Sequence, residues 1–558
     1  MSSSDLLLLL RQLGDYAEIR GASQEAGAWR RLVSDLDRLG PSARTRLIDM
    51  VRRGALHELP ALPASLHTQL RDLVVDERHA ADLAASIPWL LRRLLDRRSV
   101  DSAGAASLAR QGIVTLADLR TALDYGRIGS HLGALEPELR AAAMAIADEH
   151  ARQPLGRAID FTDNLILLIA AACPEVEALA AAGDVRRFEP VVETLVLVGS
   201  APDPPSTLQR ICAIPLIQGA VHQTGRRALL RYQQVEVDVR IAAPDEYGSV
   251  LHLATGSAAH VAGIRSKHGA TRVCAREEEV YSHAGLAWVA PELRHATGEI
   301  EAGASGALPK LVARSDIRGD LHMHTTYSDG RDTLAAMVHS ASALGYEYIA
   351  ITDHSARAAA SRTLTLDSLE RQRDDLARLR ERVPGLTILH GVEVDIMPDG
   401  RLDFEDDVLE SLDIVLASLH DNAGHDPARL TRRCLSAIAH PLVNVITHPA
   451  NRLVGRDAGY DLDFPAVFAA AAETGTALEI DGAPTHLDLD GERARAAINA
   501  GVTVSIDSDC HKAALLDRQM RLGVGTARRG WVEPRHVLNT RPLADVRAFI
   551  AAKRAVRR

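Results

Sequence analysis

The sequence predicts a multidomain protein with an all-α region, a mixed α+β region and an α/β barrel, in that order. Leucine and alanine recur at helical spacing from residue 1 to about 155, for example in AWRRLVSDLDRL and IPWLLRRLLDRR. Valine-rich alternation in VVETLVLVG and ALLRYQQVEVDVRIA (191–199 and 228–242) indicates strands. After residue 316, short apolar strands alternate with helices, which is the pattern of a parallel barrel.

These changes of pattern divide the chain into four segments. The stretch GEIEAGASGALPKLV (298–312) is polar and rich in small residues, and it is expected to be a linker. We therefore expect a helical region over 1–155, a mixed domain over 156–300, a linker over 301–315 and the barrel over 316–558.

The composition excludes several classes of protein. The chain has 558 residues, of which 46% are hydrophobic and 25% charged, as in soluble globular proteins. Its five cysteines are scattered without a CxxC pair, which excludes a disulfide framework and a thiolate zinc finger. A net charge of −10 argues against a strongly basic nucleic-acid binder. The first lysine is Lys267, which excludes lysine Schiff-base chemistry before it.

The chain also lacks the signals of membrane insertion and export. No apolar run reaches the ~18 residues that a membrane span needs. The segment DLLLLLRQL near the start lacks a basic flank and a small-residue cleavage site. We therefore expect a cytoplasmic, monomeric protein with no membrane partner.

Histidine and carboxylate residues follow the predicted barrel strands. The strands are YIAITDHS, LTILHGVEVDI, DIVLASLHD, VNVITHPA, ALEIDG and TVSIDSDCH, and IRGDLHMHTTYSDG precedes them. In a βα barrel the strand C-termini meet at one face, so these side chains should converge. The candidate metal ligands are His322, His324, Asp329, His354, Glu393, His420, His448, Asp509 and His511.

The composition of this set indicates the metal. Imidazole and carboxylate without thiolate suit divalent Zn, Mn or Fe. Nine ligands are too many for one tetrahedral ion, so the sequence predicts a cluster of two or three ions. Cys510 lies between two of the ligands and should point to the opposite face, into the core. Other histidines are expected at the surface or behind the ligands: His339, His390, His425 and His486.

The segments DLHMHTTYSDG, ITDHS, GVEVDI, SLHD, ITHPANR and DSDCH resemble the ordered motifs of the polymerase-and-histidinol-phosphatase (PHP) superfamily. The resemblance implies a distorted seven-stranded βα barrel whose trinuclear metal site cleaves phosphoesters. It implies that one ion is held by His322, His324, Glu393 and Asp509. A second ion would be held by Glu393, His420 and His448, with Glu393 bridging, and a third by Asp329, His354 and His511.

The expected chemistry follows from the charges. Each ion lowers the pKa of bound water, so a hydroxide is available near neutral pH to attack phosphorus. Glu393 and Asp509 are the ligands expected to take part in catalysis. Arg452, just after HPAN, is positioned in the sequence to pin a phosphate oxygen with two hydrogen bonds. The alternative for Arg452 is a surface salt bridge.

The order of regions resembles bacterial family X DNA polymerases that carry a C-terminal PHP domain. The segments VEVDVRIAAPDEYGSVLHLATGSAAH, EEEVYSHAGLAWVAPELRHATGEIEA and GVGTARRGWVEPRHVLNT carry this resemblance. It implies that 1–90 resembles a helix-hairpin-helix domain, 91–155 a fingers domain, and 156–300 a nucleotidyltransferase palm and thumb.

The sequence departs from this family where polymerase chemistry should lie. A nucleotidyltransferase palm needs a Gly-Ser turn, a DxD pair and a third Asp to hold two magnesium ions. In AGDVRRFEPVVETLVLVG, Asp184 follows Gly183, and we expect Glu193 and Leu195 in place of the pair. Only the third carboxylate, Asp238, remains, so we expect a polymerase region without polymerase activity.

The hairpin turns that grip DNA phosphates also depart from the family. Their GxG turns bring backbone N–H groups close to a phosphate. Here Ala61 and Pro63 stand in the first turn, while the second turn has Ser102 and keeps only Gly104. The amino-terminal half is thus expected to be either a scaffold or a weak DNA-positioning region.

Three hypotheses of function remain open. The first is a metal-dependent 3′–5′ exonuclease or 3′-phosphatase that acts on DNA ends in repair. The second is a phosphatase of small phosphate monoesters, and the third is a DNA-binding scaffold with a silent barrel. An active gap-filling polymerase is disfavoured. Asp481 in EIDGAP replaces an amide of the family's EINANP, and at the site mouth its charge would repel a polyanion unless it faces a cation.

Overall fold

A computed structural model of the protein describes residues 3–58, 63–75, 85–129, 132–147, 152–268, 272–358 and 360–555. Ala61, in the first predicted hairpin turn, lies outside the described residues. Within these ranges no helix combines the length and the apolar character that crossing a membrane requires.

The amino-terminal region is helical, as the sequence predicts. Apolar side chains on one face of each helix close two separate cores, one around Trp29 and one around Leu91. The helices of the described residues are α1 (Ser3–Ile19), α2 (Ser23–Leu39), α3 (Pro41–Arg52), α4 (Ala64–Val75), α5 (Trp89–Asp96), α6 (Ser102–Arg110), α7 (Leu116–Asp124) and α8 (Glu136–Ala147).

The mixed region is built on a five-stranded sheet with the order β2-β4-β7-β6-β5, in which only the β4–β7 pair is parallel. A separate antiparallel pair joins β1 to β3. The strands are β1 (Gln153–Pro154), β2 (Ala178–Ala182), β3 (Val191–Val192), β4 (Leu195–Ser200), β5 (Ile217–Gln223), β6 (Arg227–Tyr232) and β7 (Val235–Ala242). The helices are α9 (Leu155–Ala172), α10 (Gly183–Arg186), α11 (Pro204–Cys212), α12 (Tyr247–Thr255), α13 (Ala258–His268), α14 (Glu277–His283) and α15 (Glu299–Ser305).

The carboxyl-terminal region is a nearly closed barrel of seven parallel strands that pair in chain order. A parallel bridge between Met323 and Cys510 brings the first and last strands together beyond their ends. The strands are β8 (Gly319–Asp320), β9 (Tyr348–Ile351), β10 (Thr387–Asp395), β11 (Ile414–Ser418), β12 (Val445–Ile446), β13 (Ala477–Asp481) and β14 (Val504–Asp507). The helices are α16 (Leu334–Ala343), α17 (Leu366–Arg382), α18 (Asp406–Glu410), α19 (Pro427–Ala439), α20 (Phe464–Thr474), α21 (Gly491–Asn499), α22 (Leu516–Arg529) and α23 (Leu543–Ala555).

The predicted fold class is therefore confirmed, but the segment expected to be a linker differs. Its first residues, up to Ser305, belong to helix α15, and Arg314–Asp316 forms a short 3-10 helix. Val312 is fully buried in the barrel core. The segment is packed because Val312 enters the barrel core, while Leu308 and Leu311 pack against an apolar cluster of the mixed region. A count of small and polar residues does not reveal these contacts.

Candidate metal centre

The nine predicted ligands lie together at the C-terminal ends of the barrel strands. Glu393 lies in β10, and each of the others lies in a loop that follows a strand. Parallel strands present all their C-termini at one face, so residues from 322 to 511 meet there. Cys510 is fully buried in the core beneath them, as its position in the sequence predicts.

The donor atoms form three groups, and within each group the atoms lie no more than 4.8 Å from one another. The groups are His322, His324 and Asp509; His354, Glu393 and His420; and His324, Asp329, His354 and His511. In the first group, His324 Nε2 lies 3.1 Å from both His322 Nε2 and Asp509 Oδ1. Such convergence of lone pairs is the geometry that a cation would satisfy.

Glu393 occupies the middle of the cluster. Its Oε1 lies 2.9 Å from His448 Nε2 and 3.4 Å from His420 Nε2. Its Oε2 lies 2.8 Å from His354 Nδ1 and 3.5 Å from His322 Nε2. The carboxylate thus faces imidazoles on both sides, as a bridging ligand would.

His354 lies between two of the groups. Its Nδ1 faces Glu393, while its Nε2 is 3.6 Å from Asp329 Oδ1, and His511 Nε2 is 3.3 Å from the same oxygen. The family pattern pairs His354 with Asp329 and His511. The structure brings it equally within reach of Glu393 and His420.

Two carboxylates behind the histidines orient the rings, and sequence reasoning missed both. Glu479 Oε1 is 2.7 Å from His322 Nδ1, and Asp395 Oδ1 is 2.6 Å from His420 Nδ1. A carboxylate on Nδ1 fixes the proton there and leaves Nε2 free to bind a metal. One signal was available, because Asp395 follows Glu393 by two residues and so shares its strand face.

The charges of the cluster shift the pKa values of its members. Burial alone would lower the pKa of His420, but Glu393 and Asp395 outweigh it and raise the value to about 10. His511 is likewise buried, yet Asp509 and Asp329 raise its pKa to about 9. Burial and the neighbouring His354 and His511 lower the pKa of His324 to about 4. Without cations, several imidazoles would therefore hold protons that a metal must displace.

The side chains present fit divalent cations. Glu393 Oε2 and His354 Nδ1 are 2.8 Å apart, and neither of these buried atoms has a hydrogen-bond partner. Both are buried, and an unpaired buried charge is strongly unfavourable unless it is neutralised. Oxygen and imidazole donors directed at a common point satisfy this requirement with a bound ion.

The cluster has a closed floor and an open rim. The side chains of His322, His324 and Glu393 are completely buried. His511 is 33% exposed and Asp329 is 23% exposed. A substrate can therefore reach the cluster from the side of Asp329 and His511.

Arg452 lies beside the cluster rather than in it. Its Nε donates to the carbonyl of His486 at 2.8 Å, and its Nη2 donates to the carbonyl of Leu487 at 2.7 Å. Nη1 lies 3.5 Å from Asp490. The guanidinium is thus engaged with one loop, and its contact with a phosphate remains a prediction.

Asp481 does not lie at the site mouth, where the sequence interpretation put it. Its side chain is completely buried at the end of β13 and accepts a hydrogen bond from the backbone of Ala483. Burial, together with Asp509 and Glu479, raises its pKa well above the usual value. The backbone N–H of Asp481 donates to the carbonyl of Asp488 at 2.6 Å, so the loop after β13 turns back onto the end of the strand.

In the five-stranded sheet of the mixed region, the positions expected to replace the DxD pair, Glu193 and Leu195, are wrong by one residue. Val196 is the register partner of Asp238, whereas Leu195 packs into the core on the opposite side. The cavity beside Asp238, of about 940 Å³, is lined by Thr194 and Val196. A metal pair with Asp238 would need carboxylates at these two positions, and neither residue is one. Strand alternation makes such a slip invisible in the sequence.

Asp238 itself is held by two arginines. Arg227 donates to it through Nε at 2.8 Å and Nη2 at 3.0 Å, and Arg240 Nη2 lies 2.7 Å away. Asp238 is completely buried, but these guanidinium groups outweigh burial and lower its pKa. Arg227 also binds Asp118 at 2.7 Å. Guanidinium groups occupy the positions in which a cation would face this carboxylate.

The second predicted hairpin turn is also occupied. Asp101 accepts a hydrogen bond from the backbone N–H of Gly104 at 2.7 Å and caps helix α6. Arg30, from helix α2, donates to Ser102 at 3.0 Å. The N–H group that would face a DNA phosphate is already satisfied by a carboxylate of the protein.

Sequence comparisons relate the chain to known proteins. Residues 320–448 match the model of the PHP domain. The chain is 28% identical to the DNA polymerase/3′-5′ exonuclease PolX of Bacillus subtilis (strain 168), with 99% of both chains covered. It is 32% identical to a "probable phosphatase" of Thermoanaerobacter sp. (strain X514), over 34% of this chain and 78% of that protein.

A solved structure shows a more distant likeness. It is a histidinol phosphate phosphatase from Lactococcus lactis, complexed with zinc, L-histidinol and phosphate. The identity is 17% and the TM-score 0.29, with 38% of this chain and 93% of that chain covered.

Proposed function

Because the chain belongs to the PHP-domain family and is PolX-like along nearly its whole length, we propose that it processes DNA 3′ ends. It is a phosphoester hydrolase, and we assign it the activities of a 3′–5′ exonuclease and 3′-phosphatase in DNA repair. The observation that carries the proposal is the convergence of eight histidine, aspartate and glutamate side chains at the barrel mouth, with His448 as a ninth at 2.9 Å from Glu393. A cytoplasmic, monomeric enzyme remains our expectation.

The proposed centre holds two or three divalent ions, with Mn, Zn or Fe as candidates. When bound, such ions supply Lewis acidity and a nucleophile derived from water near neutral pH. Glu393 and Asp509 remain ionised there, since buried imidazoles outweigh desolvation and hold their pKa values well below the usual range. Glu479 and Asp395 hold the protons of His322 and His420 on Nδ1, so both rings offer Nε2.

The shape of the site supports attack at a chain end. The floor at His322, His324 and Glu393 excludes water from one side, and the open rim admits a phosphate from the other. A terminal phosphoester can enter such a bowl, whereas the middle of a duplex would need to be bent or opened. Arg452 is the candidate for a direct phosphate contact, if it exchanges a loop carbonyl for the substrate.

The polymerase-like region is proposed to be inactive in nucleotide transfer. Thr194 and Val196 offer no metal-binding carboxylate beside Asp238, and Arg227 and Arg240 neutralise that residue. Two-metal phosphoryl transfer requires carboxylates at these places.

A second candidate function is hydrolysis of small phosphate monoesters. It is favoured by the capped hairpin, in which Asp101 takes the Gly104 N–H that would otherwise bind a DNA phosphate. The chain's net charge of −10 also favours it, since non-specific DNA binding depends on neutralising phosphates.

One assay separates these functions. Full-length protein with manganese is given a 5′-labelled gapped duplex that ends in a 3′-hydroxyl or a 3′-phosphate, with and without dNTPs. A generic aryl phosphate is tested in parallel. His324→Ala is the negative control, because His324 contributes to two of the donor groups.

Shortening of the strand or loss of the 3′-phosphate, absent in the control, is the expected result. Extension with dNTPs would disprove the inactivity of the palm. Untouched DNA with rapid hydrolysis of the aryl phosphate would favour the second function over the first.

A further inference from the structure

One loop of the barrel, residues 483–489, which we call the bracket loop, is packed into the mixed region. We call the mixed region, which contains strands β1–β7, the palm-like region from here on. Leu487 is completely buried and belongs to the same apolar cluster as Leu155 and Val192 of the palm-like region. Val454, from the loop after β12, joins this cluster as well. The barrel therefore contributes side chains to the interior of the other domain rather than meeting its surface.

Helix α9 of the palm-like region lies directly against the bracket loop. A Cβ atom added at Gly156 would be 2.5 Å from Pro484 Cβ, closer than real Cβ contacts allow. Arg518 of the barrel donates to the carbonyl of Gly156 and forms an ion pair with Asp160, both at distances of 2.7–2.8 Å. These contacts fix the distance between helix α9 and the loop.

A second contact lies beside the first. The ring of Phe188 packs on Gly525 of helix α22, where an added Cβ would be 2.0 Å from the ring. Arg529, one turn further along, forms an ion pair with Glu189 at 2.9 Å and donates to the carbonyl of Arg187. Helix α22 in turn packs on the backbone just before the bracket loop, since a Cβ at Gly482 would meet the carbonyl oxygen of Gln519.

The bracket loop reaches the metal centre through His486. The His486 ring stacks on His448 with centroids 5.4 Å apart and an interplanar angle of 24°. Its Nδ1 donates to the carbonyl of Arg452 at 2.9 Å, and Arg452 donates back to the carbonyls of His486 and Leu487. This reciprocal set of bonds holds the ring of His486 in one orientation against a candidate ligand.

We propose that the palm-like region serves as a clamp for the metal centre, and that His486 is the positioning residue through which it acts. The inference rests on the proposed function, because it assumes that His448 binds an ion. Leu487, Pro484 and Gly525 tie the loop and its neighbouring helix to the palm-like region, and His486 transmits this constraint to the ring of His448. The retained domain thereby keeps a role in hydrolysis without any chemistry of its own.

The test is the variant Gly156→Ala in the full-length protein. The added methyl must push helix α9 away from Pro484, whereas alanine by itself favours a helix over glycine. Weaker metal binding by this variant could therefore not be attributed to a less stable helix. Gly225→Ala is the matched control, because an added Cβ there meets nothing within 4 Å.

Metal binding is measured in two ways: the ions retained after dialysis, by elemental analysis, and the Kd for Mn²⁺, by calorimetry. We expect Gly156→Ala to bind one ion about tenfold more weakly, as loss of support for a metal ligand typically does. Saturating Mn²⁺ should restore kcat, which separates weaker metal binding from a loss of the fold. Gly225→Ala should behave as wild type.

His486→Phe provides an independent test if Gly156→Ala does not fold. Phenylalanine keeps an aromatic ring against His448 but loses the hydrogen bond to Arg452, so we again expect about tenfold weaker binding of one ion. Wild-type affinity in the folded variants would overturn the proposal, as would equal weakening in Gly225→Ala. Wild-type protein that binds no ion would instead overturn the proposed function.

Discussion

Replacing Glu479 by glutamine tests whether the residues behind the ligands control the metal centre. Glu479 Oε1 accepts the proton of His322 Nδ1 at 2.7 Å, and Oε2 accepts the backbone N–H of His448 at 2.8 Å. A glutamine can accept only one of these bonds. If its oxygen keeps the bond to His448, its NH₂ group faces His322 Nδ1.

The consequence for His322 is a change of tautomer. The NH₂ group of glutamine and the N–H at Nδ1 of His322 are both donors and cannot bond to each other. The proton of His322 therefore moves to Nε2, the nitrogen directed at His324 and Asp509. A protonated Nε2 cannot bind a metal. Loss of such a carboxylate behind a ligand costs about 10- to 100-fold in metal affinity, which is about 1.4–2.7 kcal/mol.

Calorimetric titration of the metal-free protein with Mn²⁺ measures this change, and hydrolysis at saturating Mn²⁺ shows whether activity returns. Glu473→Gln is the control, because the same substitution is made on an exposed residue of helix α20. Equal Mn²⁺ affinity in Glu479→Gln and wild type would refute the role of Glu479 and the placement of His322 as a ligand.

Three further predictions concern protons, the palm and the domain contact. His420 has a pKa of about 10 and His511 a pKa of about 9, so both are protonated at pH 7. Because both values lie above that of an unfolded histidine, protonation stabilises the metal-free protein fully below about pH 6.5, and this stabilisation is lost as the pH rises through 9–10. Mn²⁺ must displace them, so affinity should rise with pH, and calorimetry in buffers of different ionisation enthalpy should detect proton release; pH-independent affinity would contradict this. Arg227→Ala leaves buried Asp238 with one guanidinium, so urea denaturation should show a loss of about 3 kcal/mol with hydrolysis unchanged; unchanged stability would show that the pair is dispensable. Leu487→Ala empties a fully buried position and should lower the unfolding free energy by about 3–5 kcal/mol, whereas a loss below 1 kcal/mol would mean that the loop is not anchored.

The sequence alone was sufficient for the barrel and for the grouping of the nine candidate ligands. Each strand is a short apolar run, and each ligand but Glu393 lies in a loop that follows one. Parallel strands must place those ends at one face, so convergence of residues 322–511 follows from chain order alone. The same local logic predicted that Cys510 turns away from the ligands on either side of it.

Other features depended on which strand faces which, and local patterns do not carry that information. A single step in register decides whether Leu195 or Val196 lies beside Asp238, and only the β4–β7 pairing reveals it. Asp481 is buried rather than exposed because the chain folds back over the end of β13.

The sequence by itself determined the barrel and the chemical type of its centre, because both depend on periodicity and residue type along one strand at a time. Tertiary structure decided how that centre is supported. Glu479 meets His322 across 157 residues of sequence, and Leu487 enters a core built by residues more than 200 positions earlier. Such contacts arise from packing between distant segments, and their geometry exists only in the folded chain.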